Sequence, residues 1–133
     1  MNVVVDASVW SLALRRHRPD APEVEALVAL LRDDRAALLN PVRQEVLSGV
    51  RDPQRFRTLR DELRTLPEYP LTATHHEVAA ESFNACRAKG IQGSGTDFLI
   101  CAASLLDRLP IFTTDQDFAR YAAHLPITLY RPA

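Results

Sequence analysis

Two cysteines, four glycines, one methionine and a single lysine are all that these 133 residues hold of those types. Each scarcity closes a class of function. Cys86 and Cys101 both fall within helical patterns and form no C-x-x-C pair, so no disulfide framework is expected and a reducing cytoplasm is the natural compartment. The four histidines (His17, His75, His76 and His124) are scattered, and "HEVAA" misses the second histidine of H-E-x-x-H because position 80 is alanine, so a zinc site is not expected. "GIQGSGT" imitates a phosphate-cradling loop but has no lysine and follows a helix instead of a strand. No G-x-S-x-G elbow occurs. No apolar run approaches the roughly 20 residues of a membrane span, and "MNVVVDASVW" has no basic segment ahead of an apolar one, so neither anchor nor signal peptide is expected. Lys89 is the one lysine among 16 basic residues, and it sits on a helix; a receiver domain would need one at a late strand end. The remaining arginines read either as a compositional habit or as forks for phosphate and carboxylate.

What is present suits one domain spanning residues 1–133. At 47% hydrophobic and 25% charged, the chain can bury a useful core without disulfide or metal staples. A net charge of −1 argues neither for nor against nucleic acid. "NVVV" (2–5) is a β-branched run suited to a buried strand, followed at once by the helical "DASVWSLALRR". "APEVEALVALLRDD" predicts an amphipathic helix with Val24, Leu27, Val28 and Leu31 inward. "AALLN" (36–40) predicts a second strand, and "PVRQEVLSG" a short helix between proline and glycine. Helices follow over 52–66, over "HHEVAAESFNACRAKG" and over the run that starts at Asp97. "PIFTT" (110–114), "DQDFARYAAHL" and "ITLYR" (127–131) then predict strand, helix and strand. Short buried strands separated by helices call for an α/β fold with a parallel sheet covered on both faces.

In such a sheet, ligands meet the carboxyl ends of the strands. Asp6 is the first residue after "NVVV"; Asp115 comes just after "PIFTT", with Asp117 two residues on; Glu45 lies in the helix after "AALLN"; Asp97 opens a helix with almost no polar face. Singly, each has an ordinary explanation. Asp6 and Asp115 fit helix N-caps, Glu45 a solvated helix position, and Asp97 a first-turn acid complementing the dipole with Thr96 as cap. Together they do not. Two carboxylates about 4 Å apart repel by roughly 4 kcal/mol at an effective dielectric near 20, so a convergent set needs a cation. An oxygen-only set selects hard ions such as Mg²⁺ or Mn²⁺, whose chemistry is chiefly that of phosphate esters.

"VVDASVW" with Asp6 and Ser8, "RQEVLSG" with Glu45, "GTDFLICAAS" with Asp97, and "TTDQDF" with Thr113, Asp115 and Asp117 resemble the four motifs of PIN-domain ribonucleases, and more narrowly of VapC toxins of bacterial type II toxin–antitoxin pairs. The match spans nearly the whole chain, with the acids in order. The resemblance implies a three-layer α/β/α sandwich around a parallel sheet of four or five strands. It implies a Mg²⁺- or Mn²⁺-dependent endoribonuclease acting on tRNA or ribosomal RNA, a homodimer, and a small cognate antitoxin. By the same resemblance Asp6, Glu45, Asp97 and Asp115 are the acidic quartet. Asp6, Asp97 and Asp115 hold metal, with Glu45 and Asp117 as further candidates, and Ser8 and Thr113 orient water or carboxylates. An alternative is a PIN-like module that works within an antitoxin-bound, DNA-binding repressor complex. Haloacid-dehalogenase-like phosphatases fit poorly, because Asp6 is followed by Ala7 and Ser8 where D-x-D is needed.

The 52–66 helix sets Phe56, Leu59, Leu63 and Leu66 against Arg55, Arg57, Arg60 and Arg64. The arginines read as a surface for RNA or for the antitoxin, or as a solvated face with pairs such as Arg57 with Asp61. "GIQGSG" is a loop at the rim of the acids, and Trp10 and Tyr121 read as core or dimer-interface residues.

Overall fold

The computed structural model describes residues 1–16 and 18–132; His17, one of the four scattered histidines, lies outside the described residues. Strand β1 (Val3–Val5) is central, with β2 (Ala36–Ala37) on one side and β3 (Ile111–Phe112) on the other, both parallel to it. Val3 pairs with Ala36 and Val5 with Phe112. All three valines of β1 are fully buried. Because successive side chains of a strand point to opposite faces, both faces of the sheet are covered, as an α/β/α layering requires. Helices α1 (Ala7–Leu14) and α2 (Pro22–Arg32) connect β1 to β2. Helices α3 (Asn40–Leu47), α4 (Pro53–Arg64), α5 (Ala73–Ala88) and α6 (Gly95–Asp107) carry the chain to β3, and α7 (Asp117–Ala122) follows. The chain thus leaves β1 in one direction and returns past it in the other. Its topological switch point lies at the carboxyl end of β1, where α/β sheets place their ligands.

The sheet is smaller than the four or five strands expected. The "AALLN" segment contributes only Ala36–Ala37; Leu38 and Leu39 are buried by packing, and Asn40 already belongs to α3. The "ITLYR" segment reaches the sheet through one parallel bridge, Leu129 to Ile111, so a fourth position exists without a full strand. Burial of apolar side chains drives both segments inward, and the backbone ladder follows only where extended geometry persists.

The predicted stripe of α2 also shifts. Val24, Leu27 and Leu30 are buried, while Val28 is exposed. In α6, Phe98 and every residue from Ile100 to Ser104 are buried, as its composition demands. Its cap is Ser94, whose hydroxyl accepts from the Asp97 N–H at 3.1 Å, two residues earlier than the Thr96 cap expected. Helices α5 and α6 pack along each other. His75 and Asp107 join them at 2.9 Å, and the Tyr69 hydroxyl also donates to Asp107.

Candidate active site

The carboxyl end of β1 places Asp6 at the N-cap position of α1, but its side chain makes no capping bond. The carboxylate is buried, and its Oδ2 accepts from two hydroxyls, Ser8 and Thr113, each at 2.8 Å. A hydroxyl has one proton to give. With those directed at Asp6, Ser8 Oγ accepts from the Thr114 N–H at 3.0 Å and Thr113 Oγ1 from the Asp115 N–H at 2.9 Å. The segment after β3 is thereby tied to the end of β1. Ordinary capping does not describe Asp6; a charge-assisted hydroxyl pair does. Thr113→Val should therefore cost about 1.5–3 kcal/mol, the range for hydrogen bonds to charged groups, read as a lower urea midpoint at neutral pH. A change within about 0.5 kcal/mol, typical of surface substitutions, would show the pair to be incidental.

Asp115 retains part of its local explanation: its Oδ1 accepts from the Asp117 N–H at 2.9 Å, a turn that leads into α7. Asp117 pairs with Arg120 at 3.5 Å. Asp97 stands in the first turn of α6, and its Oδ2 accepts from the Tyr121 hydroxyl at 2.6 Å. Glu45 projects from α3.

These residues share one cleft of about 580 Å³, lined by Asp6, Glu45, Asp97, Asp115 and Asp117 together with Ser8, Ser11, Arg15, Arg16 and Ser94. The end of β1, α3, α6, the end of β3 and the start of α7 each supply one carboxylate. Their mutual repulsion is visible in the protonation equilibria. Glu45 is raised above the usual carboxylate range, first by partial desolvation and then by the charges of Asp6, Asp97 and Asp115. Asp97 is raised chiefly by burial, with Asp6 and Asp115 adding to it, against hydrogen bonds from Tyr121 and Ser94 that lower it. Among the described residues no three His, Cys, Asp or Glu side chains are drawn into a ready-made ion cage. The acids line a shared cleft without clustering tightly. The donor set is oxygen only, which fits a hard divalent cation and not zinc or copper. A larger groove of about 960 Å³ runs between α2 and the C-terminal segment. It gathers no comparable set of acids.

The arginine-rich helix lies away from the acids. None of Arg55, Arg57, Arg60 and Arg64 lines the acidic cleft. The Arg55 guanidinium donates to the Leu14 and Arg15 carbonyls at 3.0 and 3.1 Å, satisfying acceptors at the end of α1, and so serves the fold. Asp61 pairs with its neighbour Arg60 at 3.2 Å, whereas Arg57 had been its expected partner; Arg57 and Arg64 are exposed. The basic residues at the acids are instead Arg15 and Arg16. Their signal was in the sequence: Ser8, Ser11, Leu12 and Arg15 recur at helical spacing, and all four line the cleft. Tyr121 is core, as expected, yet its hydroxyl reaches the site.

Among curated proteins none matches the chain in sequence. Solved structures do match it in fold. VapBC2 from Rickettsia felis, bound to a DNA fragment from its promoter, aligns at a TM-score of 0.78 and 17% identity over 98% of both chains. FitAcB from Neisseria gonorrhoeae aligns at 0.68 and 16% identity over 98% of this chain and 97% of its own. FitAB bound to an IR36 DNA fragment aligns at 0.72 and 17% identity over 96% and 93%. The sequence model of the PIN domain matches residues 3–124, a span that holds all five cleft carboxylates and the three-stranded sheet, and the chain therefore belongs to the PIN domain family.

Proposed function

We propose that this chain is the toxin of a toxin–antitoxin pair, a Mg²⁺- or Mn²⁺-dependent endoribonuclease held in check by a small cognate antitoxin. One observation carries the reading: carboxylates from the end of β1, from α3, from α6 and from the end of β3 line one cleft, beside two arginines. PIN-family membership and the VapC-like motifs support it.

Asp6, Asp97 and Asp115 would hold the cation, with Glu45 and Asp117 available to complete its shell. A bound Mg²⁺ or Mn²⁺ supplies activation of water and stabilisation of charge developing on phosphate oxygens. The chain supplies the rest. Glu45, whose proton affinity is raised by burial and by its acidic neighbours, takes the proton from the attacking water. Arg15 and Arg16 hold the phosphodiester backbone at the open side of the cleft. The P–O3′ bond breaks as the water oxygen bonds to phosphorus, and the departing O3′ takes a proton from solvent, leaving a 5′-phosphate and a 3′-hydroxyl. An Arg15→Ala, Arg16→Ala double variant should raise KM for RNA more than it lowers kcat, and should flatten the salt dependence of binding; an unchanged salt slope would remove both from the substrate path.

The deciding experiment is cleavage of total tRNA and ribosomal RNA by the purified chain with Mg²⁺ or Mn²⁺ and then with EDTA, beside Asp97→Asn. Discrete cuts that need metal and are absent from the variant support the reading; equal cleavage by both proteins, or none, removes it.

A second reading has its own observation. Two of the matching structures are bound to DNA. A module that acts within an antitoxin-bound repressor complex would keep antitoxin binding and operator repression in Asp97→Asn and show no loss of growth inhibition attributable to that residue.

A further inference from the structure

Two of the cleft carboxylates have their orientation set by side-chain hydroxyls. Asp6 is turned by Ser8 and Thr113, which both occupy its Oδ2. Asp97 is turned by Tyr121, which occupies its Oδ2 from α7, 24 residues away in sequence. The Tyr121 ring is fully buried and held between Phe98, with centroids 4.9 Å apart, and Phe118 at 5.2 Å. Its hydroxyl reaches Asp97 past Gly93, where any Cβ would force the ring to shift. A Cβ on Gly93 would stand 2.1 Å from the Tyr121 oxygen, 2.7 Å from Cζ and 3.0 Å from Cε2 of Phe98. The obstacle is a ring wedged between two others, so it cannot yield as a flexible side chain would. A phenylalanine at 121 would fill the same space without burying a hydroxyl. Packing explains the ring, then, and leaves the hydroxyl to be explained by Asp97.

We infer that Tyr121 is a positioning residue which, through the room left by Gly93, pins Oδ2 of Asp97 and leaves Oδ1 as the one oxygen that Asp97 presents to a cation in the cleft. The inference rests on the metal-dependent reading above. Asp6 is arranged alike, so the two acids with hydroxyl partners each offer a single oxygen from a rigid mount. Single-oxygen carboxylates suit Mg²⁺ and Mn²⁺, which demand compact octahedral shells. Ca²⁺ is larger, takes more oxygens and readily uses both oxygens of a carboxylate. Tyr121 thus helps choose the ion as well as hold it.

The test is calorimetric titration of the purified chain with MnCl₂ and separately with CaCl₂, for wild type, Tyr121→Phe and Gly93→Ala, with thermal melts in EDTA alongside. Loss of an outer partner of a metal ligand typically weakens binding by roughly 10–100-fold, and a weakening of Mn²⁺ binding in that range is expected for Tyr121→Phe. Ca²⁺ should weaken less, because the freed Oδ2 can join Oδ1, so the Mn²⁺ preference narrows. Gly93→Ala should narrow it too, with the phenol still present but displaced. Either variant suffices if the other does not fold. A preference identical to wild type in a folded variant overturns the inference and returns the hydroxyl to packing, whatever the melts show. A wild type that binds neither ion overturns the metal-dependent reading itself, a result distinct from wild-type binding with unchanged variants.

Discussion

Asp97→Asn should abolish metal-dependent cleavage and, in the metal-free protein at neutral pH, raise the melting temperature. The first effect follows from removing a carboxylate that faces the cleft. Losing even an outer partner of a metal ligand costs about 10–100-fold, so if Asp97 holds metal as proposed, its loss should cost at least about a hundredfold in activity. The second follows from linkage. Burial first, and then the charges of Asp6 and Asp115, raise the Asp97 carboxyl in the folded chain above its ordinary 3.8. Its contribution to stability is therefore fully present below that ordinary value and is lost as pH rises through the raised one, because over that window the folded state binds more protons than the unfolded state. At neutral pH asparagine removes that penalty, while the amide can still accept from Tyr121. Thermal melts in EDTA between the acid range and neutrality check the sign: the wild type should lose stability across the window and the variant should lose less. A variant that melts below wild type at neutral pH would show that Tyr121 and Ser94 outweigh the repulsion.

Phe98→Ala should be strongly destabilising. Phe98 is buried between α5 and α7, edge-on to Phe83 at 5.5 Å and tilted against Tyr121 at 4.9 Å. Truncating a buried phenylalanine costs about 3–5 kcal/mol, a large part of the roughly 5–15 kcal/mol that keeps a domain folded. It would also free one side of the Tyr121 ring and so slacken Asp97. Urea unfolding should show the midpoint falling at an unchanged slope; a loss under about 1 kcal/mol would mean that the aromatic cluster repacks around the gap.

Much of this molecule was legible before folding. Asp6 and Asp115 could be placed at strand ends because β-branched runs stop there, and Asp97 at a helix start because nine small or apolar residues follow it. Those readings depend on periodicity, which nearest-neighbour backbone geometry imposes within each segment. Where neighbours were insufficient, the expectation moved. The "AALLN" strand shrank to Ala36–Ala37 and "ITLYR" to one bridge, since an apolar run calls for burial but does not say whether a ladder or a helix will deliver it. Arg55, read as part of a binding surface or of a solvated face, also ties down the end of α1, a contact no local pattern shows because its partners lie about 40 positions earlier in the chain.

The chain's local patterns dictated the order of strands and helices, the apolar identity of the core and the set of acids at the sheet edge. They could not dictate which oxygen of each acid would remain open. Thr113 meets Asp6 across 107 positions and Tyr121 meets Asp97 across 24, past a glycine whose missing Cβ matters only after α7 has docked. A hydroxyl–carboxylate bond needs ångström-level placement of two separate elements, and that placement comes from packing of the whole core, which no local period encodes.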